Sequence, residues 1–224
     1  MREIVLDTET TGLDPAAGHR ILEIGCVELK NHVATGRSYH VYVDPERDVP
    51  EEAYKVHGLD RVFLGQFPSF VGIVDEFLGF IGEDPLVIHN AAFDMKFLNA
   101  ELAAHGRPTL PMTRAVDTLE IARRRFPGAQ VNLDALCKRF GVDNGARDLH
   151  GALLDCQLLA EVYLELRGGR QPGLALADSA SSRAKTVAIA QRPHRVPRPH
   201  AASDPERSAH AAMLEKLTSP IWHQ

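Results

Sequence analysis

No apolar run in the 224 residues approaches the roughly 20 positions needed to cross a bilayer. Cysteine is scarce: Cys26, Cys137 and Cys156 are an odd number with no C-x-x-C pair. A disulfide framework is therefore excluded, and each cysteine, set among apolar neighbours, is expected as a reduced core residue of a cytoplasmic protein. Tryptophan occurs once, at Trp222, and there is no internal repeat. The opening MREIVLDTET runs straight into a strand-like stretch, with no signal peptide. The hydrophobic fraction, 44%, is ordinary for a globular domain with a real core.

Net positive charge is also missing, and unevenly. The chain carries −5, but residues 1–169 hold 17 Lys+Arg against 26 Asp+Glu, a net of −9. Residues 170–203 hold six basic side chains against Asp178 alone. A folded part this acidic is a poor general binder of a phosphate backbone. If it handles nucleic acid, cations must mask its carboxylates or a partner must hold the strand.

What is present alternates strand and helix signals. Glu3–Asp7, Ile21–Leu29 and Tyr39–Val43 read as a strand meander. A helix over Phe70–Ile81, a strand Leu86–His89 and a helix from about Ala92 to His105 follow. Next come a short strand at Ala115–Asp117 and helices over Thr118–Arg125, Leu133–Phe140 and about Gly151–Arg167. Strands first, then βα alternation, predict an α/β fold with a mixed sheet covered by helices. From residue 170 to 202 the chain is rich in Ala, Ser, Pro and Arg without a period, as in a flexible basic linker. His194 and His200 belong to it. In residues 203–224, Ser203 or Asp204 can cap a short helix carrying Ala209, Met213 and Leu217 at four-residue spacing.

Three segments carry acids at the ends of apolar elements. In Asp7-Thr8-Glu9, residues two apart on a strand project from one face, about 7 Å apart along the chain. Two anions there repel and lose hydration unless a cation joins them. In His89-Asn90-Ala91-Ala92-Phe93-Asp94, the acid falls in the first turn of a helix, where the helix dipole alone would also favour it. In His150-Gly-Ala-Leu-Leu-Asp155, Asp155 shares a helix face with Leu158, Leu159 and Val162 and leans toward the core. His150 would lie roughly 140° away on a continuous helix, so it belongs to the approach to the helix instead. Each segment alone has an ordinary structural reading. Together, four acids and one histidine suit two hard cations with oxygen ligands, Mg2+ or Mn2+, since zinc would ask for more His or Cys. Such a pair can activate a water and stabilise the leaving oxygen in phosphodiester cleavage.

DTETTG, HNAAFD and HGALLD resemble the three motifs of the DEDDh exonuclease superfamily, and all five named positions match: Asp7, Glu9, Asp94, His150 and Asp155. Within it, IVLDTETTG, LEIG, HVYVDP, VHGL, LVIHNAAFD, FPG, LDALC and LHGALLD are similar to the epsilon (proofreading) subunit family of bacterial DNA polymerase III over residues 4–169. SDPERSAHAAMLEKL and the Trp-containing end resemble that family's tail. The resemblance implies a ribonuclease H-like fold, a five-stranded mixed sheet flanked by helices. It implies a 3′→5′ exonuclease domain over 1–169 that releases nucleoside 5′-monophosphates from a frayed, mismatched DNA 3′ end. Asp7 would bridge both metals, Glu9 and Asp155 would bind the metal that activates water, and Asp94 would support the second through water. Asp7, Glu9 and Asp155, with Glu52 and His57, would also meet the terminal nucleotide, although Glu52 equally suits a surface helix. His150 would be the general base. Met213, Leu217 and Trp222 would dock on the polymerase alpha subunit. Gln171, Leu174 and Leu176 resemble the Q-x-x-L-x-L peptides that grip the beta sliding clamp, though such short patterns also arise by chance in linkers. A small accessory subunit is a third candidate partner, which the sequence alone does not decide.

Two other readings use the same residues. A stand-alone DEDDh exoribonuclease shares all five positions but needs neither the basic linker nor the capped terminal helix. A binding subunit without catalysis would not need five intact positions.

Overall fold

The computed structural model describes residues 1–145, 149–169 and 201–217. The chain divides into two units, Met1–Ala175 and Leu176–Gln224.

In the first unit, β1 (Arg2–Thr10), β2 (Ile21–Lys30) and β3 (Val33–Tyr42) form an antiparallel meander. β4 (Leu86–Ile88) and β5 (Ala115–Asp117) add in parallel beyond β1. The order β3-β2-β1-β4-β5 puts β1 at the centre of a mixed five-stranded sheet. The helices are α1 (Glu51–His57), α2 (Arg61–Leu64), α3 (Phe70–Ile81), α4 (Ala91–Ala104), α5 (Thr118–Arg125), α6 (Leu133–Phe140) and α7 (Ala152–Leu166). No described helix is long and apolar enough to cross a membrane.

The side-chain alternation of β1 divides the core. Ile4 and Leu6 pack with Ile24, Phe70, Phe77 and Phe97 on the side of α3 and α4. Val5 packs with Val27, Leu136, Leu159 and Tyr163 on the side of α6 and α7. With period two, Thr8 continues toward α4, while Asp7 and Glu9 continue toward α7. Apolar residues of α3 at 70, 73, 74, 77 and 81 make the buried stripe that closes the first side. All three cysteines are free and buried, as expected of core residues.

Most elements fall where the sequence places them, with three differences. β3 begins at Val33 instead of Tyr39, because its first half is an exposed edge with no apolar alternation. Helices α1 and α2 are further elements that no periodic signal in the sequence delimits. EEAYKVH has no helical apolar period, and of its seven residues only His57 is buried. The segment holds its helix with two acids in the first turn and Gly58 in the left-handed conformation at its end.

In the second unit, α8 (Asp204–Leu214) follows Ser203, whose N–H donates to Glu206 Oε2 at 2.8 Å. No residue of α8 is buried, and Met213 and Leu217 stand exposed. Gln171, Leu174, Leu176, His194, His200 and Trp222 lie outside the described residues.

Candidate active site

The parallel strands β1, β4 and β5 all end on one edge of the sheet, and the acids gather there. Asp94, in the first turn of α4, is buried; its Oδ1 accepts Thr8 N–H at 3.0 Å and Thr8 Oγ1–H at 2.7 Å. The turn before α4 is fixed in its own right. Asn90 adopts a left-handed conformation, and its N–H donates to Asp117 Oδ1 at 3.1 Å. The same Oδ1 caps α5 through Leu119 N–H at 2.9 Å, and His89 Nδ1 meets Thr118 Oγ1 at 2.9 Å. Thus β5 and α5 aim the helix that carries Asp94.

On the other face, α7 brings Asp155 to β1. Gly25 of β2 is the cross-strand partner of Asp7. A Cβ at Gly25 would lie under 3.0 Å from the backbone of Ala152 and Leu153. The missing side chain lets the first turn of α7 rest on the sheet beside Asp7. Cys156 Sγ meets Gly25 O at 3.1 Å in the same contact.

His150 precedes the helix, as its angular offset requires. It is tied down there: its N–H donates to Val56 O at 3.0 Å, and Leu149 Cδ1 covers Gly58 at 2.7 Å from where a Cβ would stand. Its Nδ1 is 3.4 Å from Asp155 Oδ2. One ligand atom each from Glu9, His150 and Asp155 lie within 4.8 Å of one another. Glu9 and Asp155 are buried, whereas the His150 side chain is about half exposed, at 48%.

Asp7 stands among these acids with part of its surface open. Burial, then the charges of Asp94, Glu9, Asp155 and Glu23, push its carboxyl well above the usual range. Asp94 is pushed up to about 7, chiefly by burial, with the Thr8 hydrogen bonds pulling the other way. Glu23 is the cross-strand partner of Glu9, and its Oε1 lies 2.7 Å from His40 Nε2. Carboxylate oxygens and one imidazole, crowded enough to resist ionisation, are the donor set that a hard divalent cation relieves. Asp7, Glu9, Asp94 and Asp155 therefore fit such ions.

A cleft of about 530 Å³ runs beside the acids, between the β1 end from Thr8 to Leu13 and α1. Leu13, Val56 and Phe93 give it apolar walls, and Glu52 and His57 line it from α1. Glu52 is exposed; His57 is buried. His57 Nδ1 accepts Leu59 N–H at 3.0 Å, so the ring proton belongs on Nε2, which is buried without a hydrogen-bond partner among the described residues. Burial pushes its pKa down, in favour of the neutral ring.

Sequence reasoning missed the residues that aim the acids. Gly25 left a readable signal, an isolated glycine inside an apolar strand pattern. Thr8, the Val56 carbonyl and Gly58 left none, since their roles depend on contacts between segments far apart in sequence.

Residues 4–163 match the family model described as Exonuclease. The DNA polymerase III subunit epsilon of Rickettsia felis is 56% identical over 183 residues, covering 80% of each chain. That of Escherichia coli is 44% identical over 236 aligned positions, covering 99% of this chain and 97% of the relative. Among solved structures, the nuclease domain of 3′hExo, a DEDDh family member bound to rAMP, shares the fold. Its TM-score is 0.65 at 18% identity, over 74% of this chain and 91% of that one. Exonuclease X in complex with 5′ overhanging duplex DNA gives 0.59 at 24% identity, over 73% and 90%. With the family model matched over most of its length and relatives of 44% and 56% identity, this chain belongs to the exonuclease family, among the DNA polymerase III epsilon subunits.

Proposed function

We propose that the chain hydrolyses the 3′-terminal nucleotide of DNA, releasing nucleoside 5′-monophosphates, as the proofreading exonuclease of a replicative polymerase in the cytoplasm. The observation that carries this is the convergence of Glu9, His150 and Asp155 beside Asp7 at the mouth of an apolar cleft. Asp7, Glu9, Asp94 and Asp155 would hold two ions, Mg2+ or Mn2+, which supply positive charge to the attacking water and the leaving oxygen. His150, whose Nδ1 lies 3.4 Å from Asp155 Oδ2, would take the proton from that water. In the cleft, Glu52 and the Nε2–H of His57 hold the terminal nucleotide. A buried donor without a protein partner supports that role for His57, because ligand oxygen would relieve its desolvation.

Selectivity for mismatches needs no base reading: a mismatched end unstacks more cheaply and reaches the cleft as a single strand more often. Residues 1–169 carry the chemistry, 170–202 tether, and 203–224 dock on the polymerase alpha subunit through Met213, Leu217 and Trp222. Gln171, Leu174 and Leu176 add a contact to the beta sliding clamp; a weak site suffices there, since tethering raises its effective concentration. A small accessory subunit completes the assembly.

The test is nucleotide release by the purified chain from matched and mismatched DNA primers and from RNA, with Mg2+ and with Mn2+. Faster release from the mismatched DNA end is expected, and His150→Ala should lower turnover by roughly 10²–10⁴-fold while flattening the acidic limb of the pH–rate profile. Preference for RNA, or near-normal turnover without the histidine, would overturn the proposal.

A further inference from the structure

The cleft wall facing α1 is made by the turn after β1, and that turn is built around one imidazole. Thr11 is fully buried. Its N–H donates to Arg20 O at 2.9 Å, and its Oγ1 accepts Arg20 N–H at 2.9 Å. Arg20 is held from outside by a bidentate pair with buried Glu101, Nε to Oε1 at 2.7 Å and Nη2 to Oε2 at 2.8 Å. Thr11 Oγ1 then lies 3.1 Å from His19 Nδ1. Among the described residues Nδ1 is the one acceptor paired with that buried hydroxyl, so the hydroxyl proton is assigned to it and the imidazole proton to Nε2. Gly12 completes the seat, since a Cβ there would lie under 3.0 Å from Nδ1, Cε1 and Nε2 of the ring. His19 is thus a half-buried residue lining the cleft, with Nδ1 held by Thr11 and no hydrogen-bond partner on Nε2 among the described residues, and nothing in the hydrolysis uses it.

We propose that His19 is a base-contacting residue, whose Nε2–H donates to the minor-groove-edge acceptor of the 3′-terminal nucleobase. The inference rests on the proposed function, in that the cleft must receive a terminal nucleotide. Two observations choose the base over a phosphate. Leu13, Val56 and Phe93 offer apolar faces suited to a flat ring, and Glu9, Asp14 and Glu52 along the same cleft repel an anion that is not shielded by cations. The edge follows from the task. A proofreading site must accept all four bases, and the minor-groove edge offers an acceptor, purine N3 or pyrimidine O2, that does not distinguish them. One fixed donor on that edge binds every base without reading sequence.

The experiment compares single-stranded oligonucleotides ending in 2′-deoxyadenosine or in 3-deaza-2′-deoxyadenosine, where a C–H replaces N3, cut by the full chain with Mg2+. One neutral hydrogen bond predicts a KM about 2- to 10-fold higher for the wild-type chain on the analogue, with kcat little changed. His19→Ala should show that raised KM on both oligonucleotides and no longer discriminate between them. His19→Gln, whose amide can present an N–H, should recover part of the discrimination and keeps the test open if the alanine variant folds poorly. A His19→Ala chain that still discriminates, or a wild-type chain that does not, overturns the assignment while leaving the exonuclease intact. A wild-type chain that cuts neither oligonucleotide overturns the proposed function and this inference with it.

Discussion

Asp7 is a residue whose charge and surroundings disagree in the absence of cations. Its strand is buried, and four neighbouring acids oppose its ionisation. Asp7→Ala should therefore abolish hydrolysis yet leave the metal-free melting temperature equal to or above wild type; near-normal hydrolysis by this variant would sink the role given to Asp7. The same conflict makes stability depend on pH. Asp94 has a folded-state pKa of about 7, above the roughly 4 of an unfolded aspartate, so the folded state holds this proton more tightly. The stability it contributes is fully present below about pH 4 and is lost as pH rises through about 7; Asp7, also raised, acts in the same direction. In chelator, the chain should melt at a lower temperature at pH 8 than at pH 5.5. Mg2+ should raise the melting temperature more at pH 8, where protons no longer compete for the carboxylates. Equal shifts on adding Mg2+ at both pH values would contradict this account.

At the scale of elements, the site depends on how closely α7 lies on the sheet, and Gly25 sets that distance. Gly25→Ala places a methyl group against the backbone of Ala152, which cannot give way as a flexible side chain would. The first turn of α7 should lift, costing about 1–3 kcal/mol of stability by overpacking. Asp155 and His150 should move from Glu9, with kcat falling at least about tenfold, as misplacement of catalytic groups implies. Wild-type turnover and melting temperature in this variant would show that the contact is slack. The same contact marks what is legible in the sequence. The bounds of α3, β5, α5 and α6 can be read directly, because apolar periodicity and turn residues such as Gly141 mark where elements stop. The acids stand out because each interrupts or ends an apolar element. α1 is not readable, since its exposed EEAYKVH is shaped by its neighbours instead of by its own period. Yet α1 supplies His57 and the Val56 carbonyl that holds His150, so one wall of the cleft comes from an element with no pattern of its own.

At the scale of the whole chain, the proposed function would divide the work, with chemistry in the acidic nuclease part and attachment in the C-terminal residues. A net of −9 over residues 1–169 gives that part little long-range attraction for a DNA strand, so its access to a primer end depends on whatever else holds the strand. α8 is suited to making that connection. At 11 residues it is shorter than isolated helices that are stable in water, and none of its side chains is buried. Its capping interaction at Ser203 and Glu206 starts the helix but gives its apolar residues nothing to pack against. Met213 and Leu217, four residues apart, would gain cover by lying in a groove of a partner. Deleting residues 203–224 should therefore leave hydrolysis of a single-stranded DNA end by the free chain unchanged within about twofold, since no catalytic group is removed. The deletion should abolish co-purification with the polymerase alpha subunit. In the presence of that subunit, full-length chain should cut a mismatched primer faster than it does alone, while the shortened chain should gain nothing. If the shortened chain still co-purifies and is still accelerated, the contact must lie on residues 1–202, and the tail would have lost the role assigned to it.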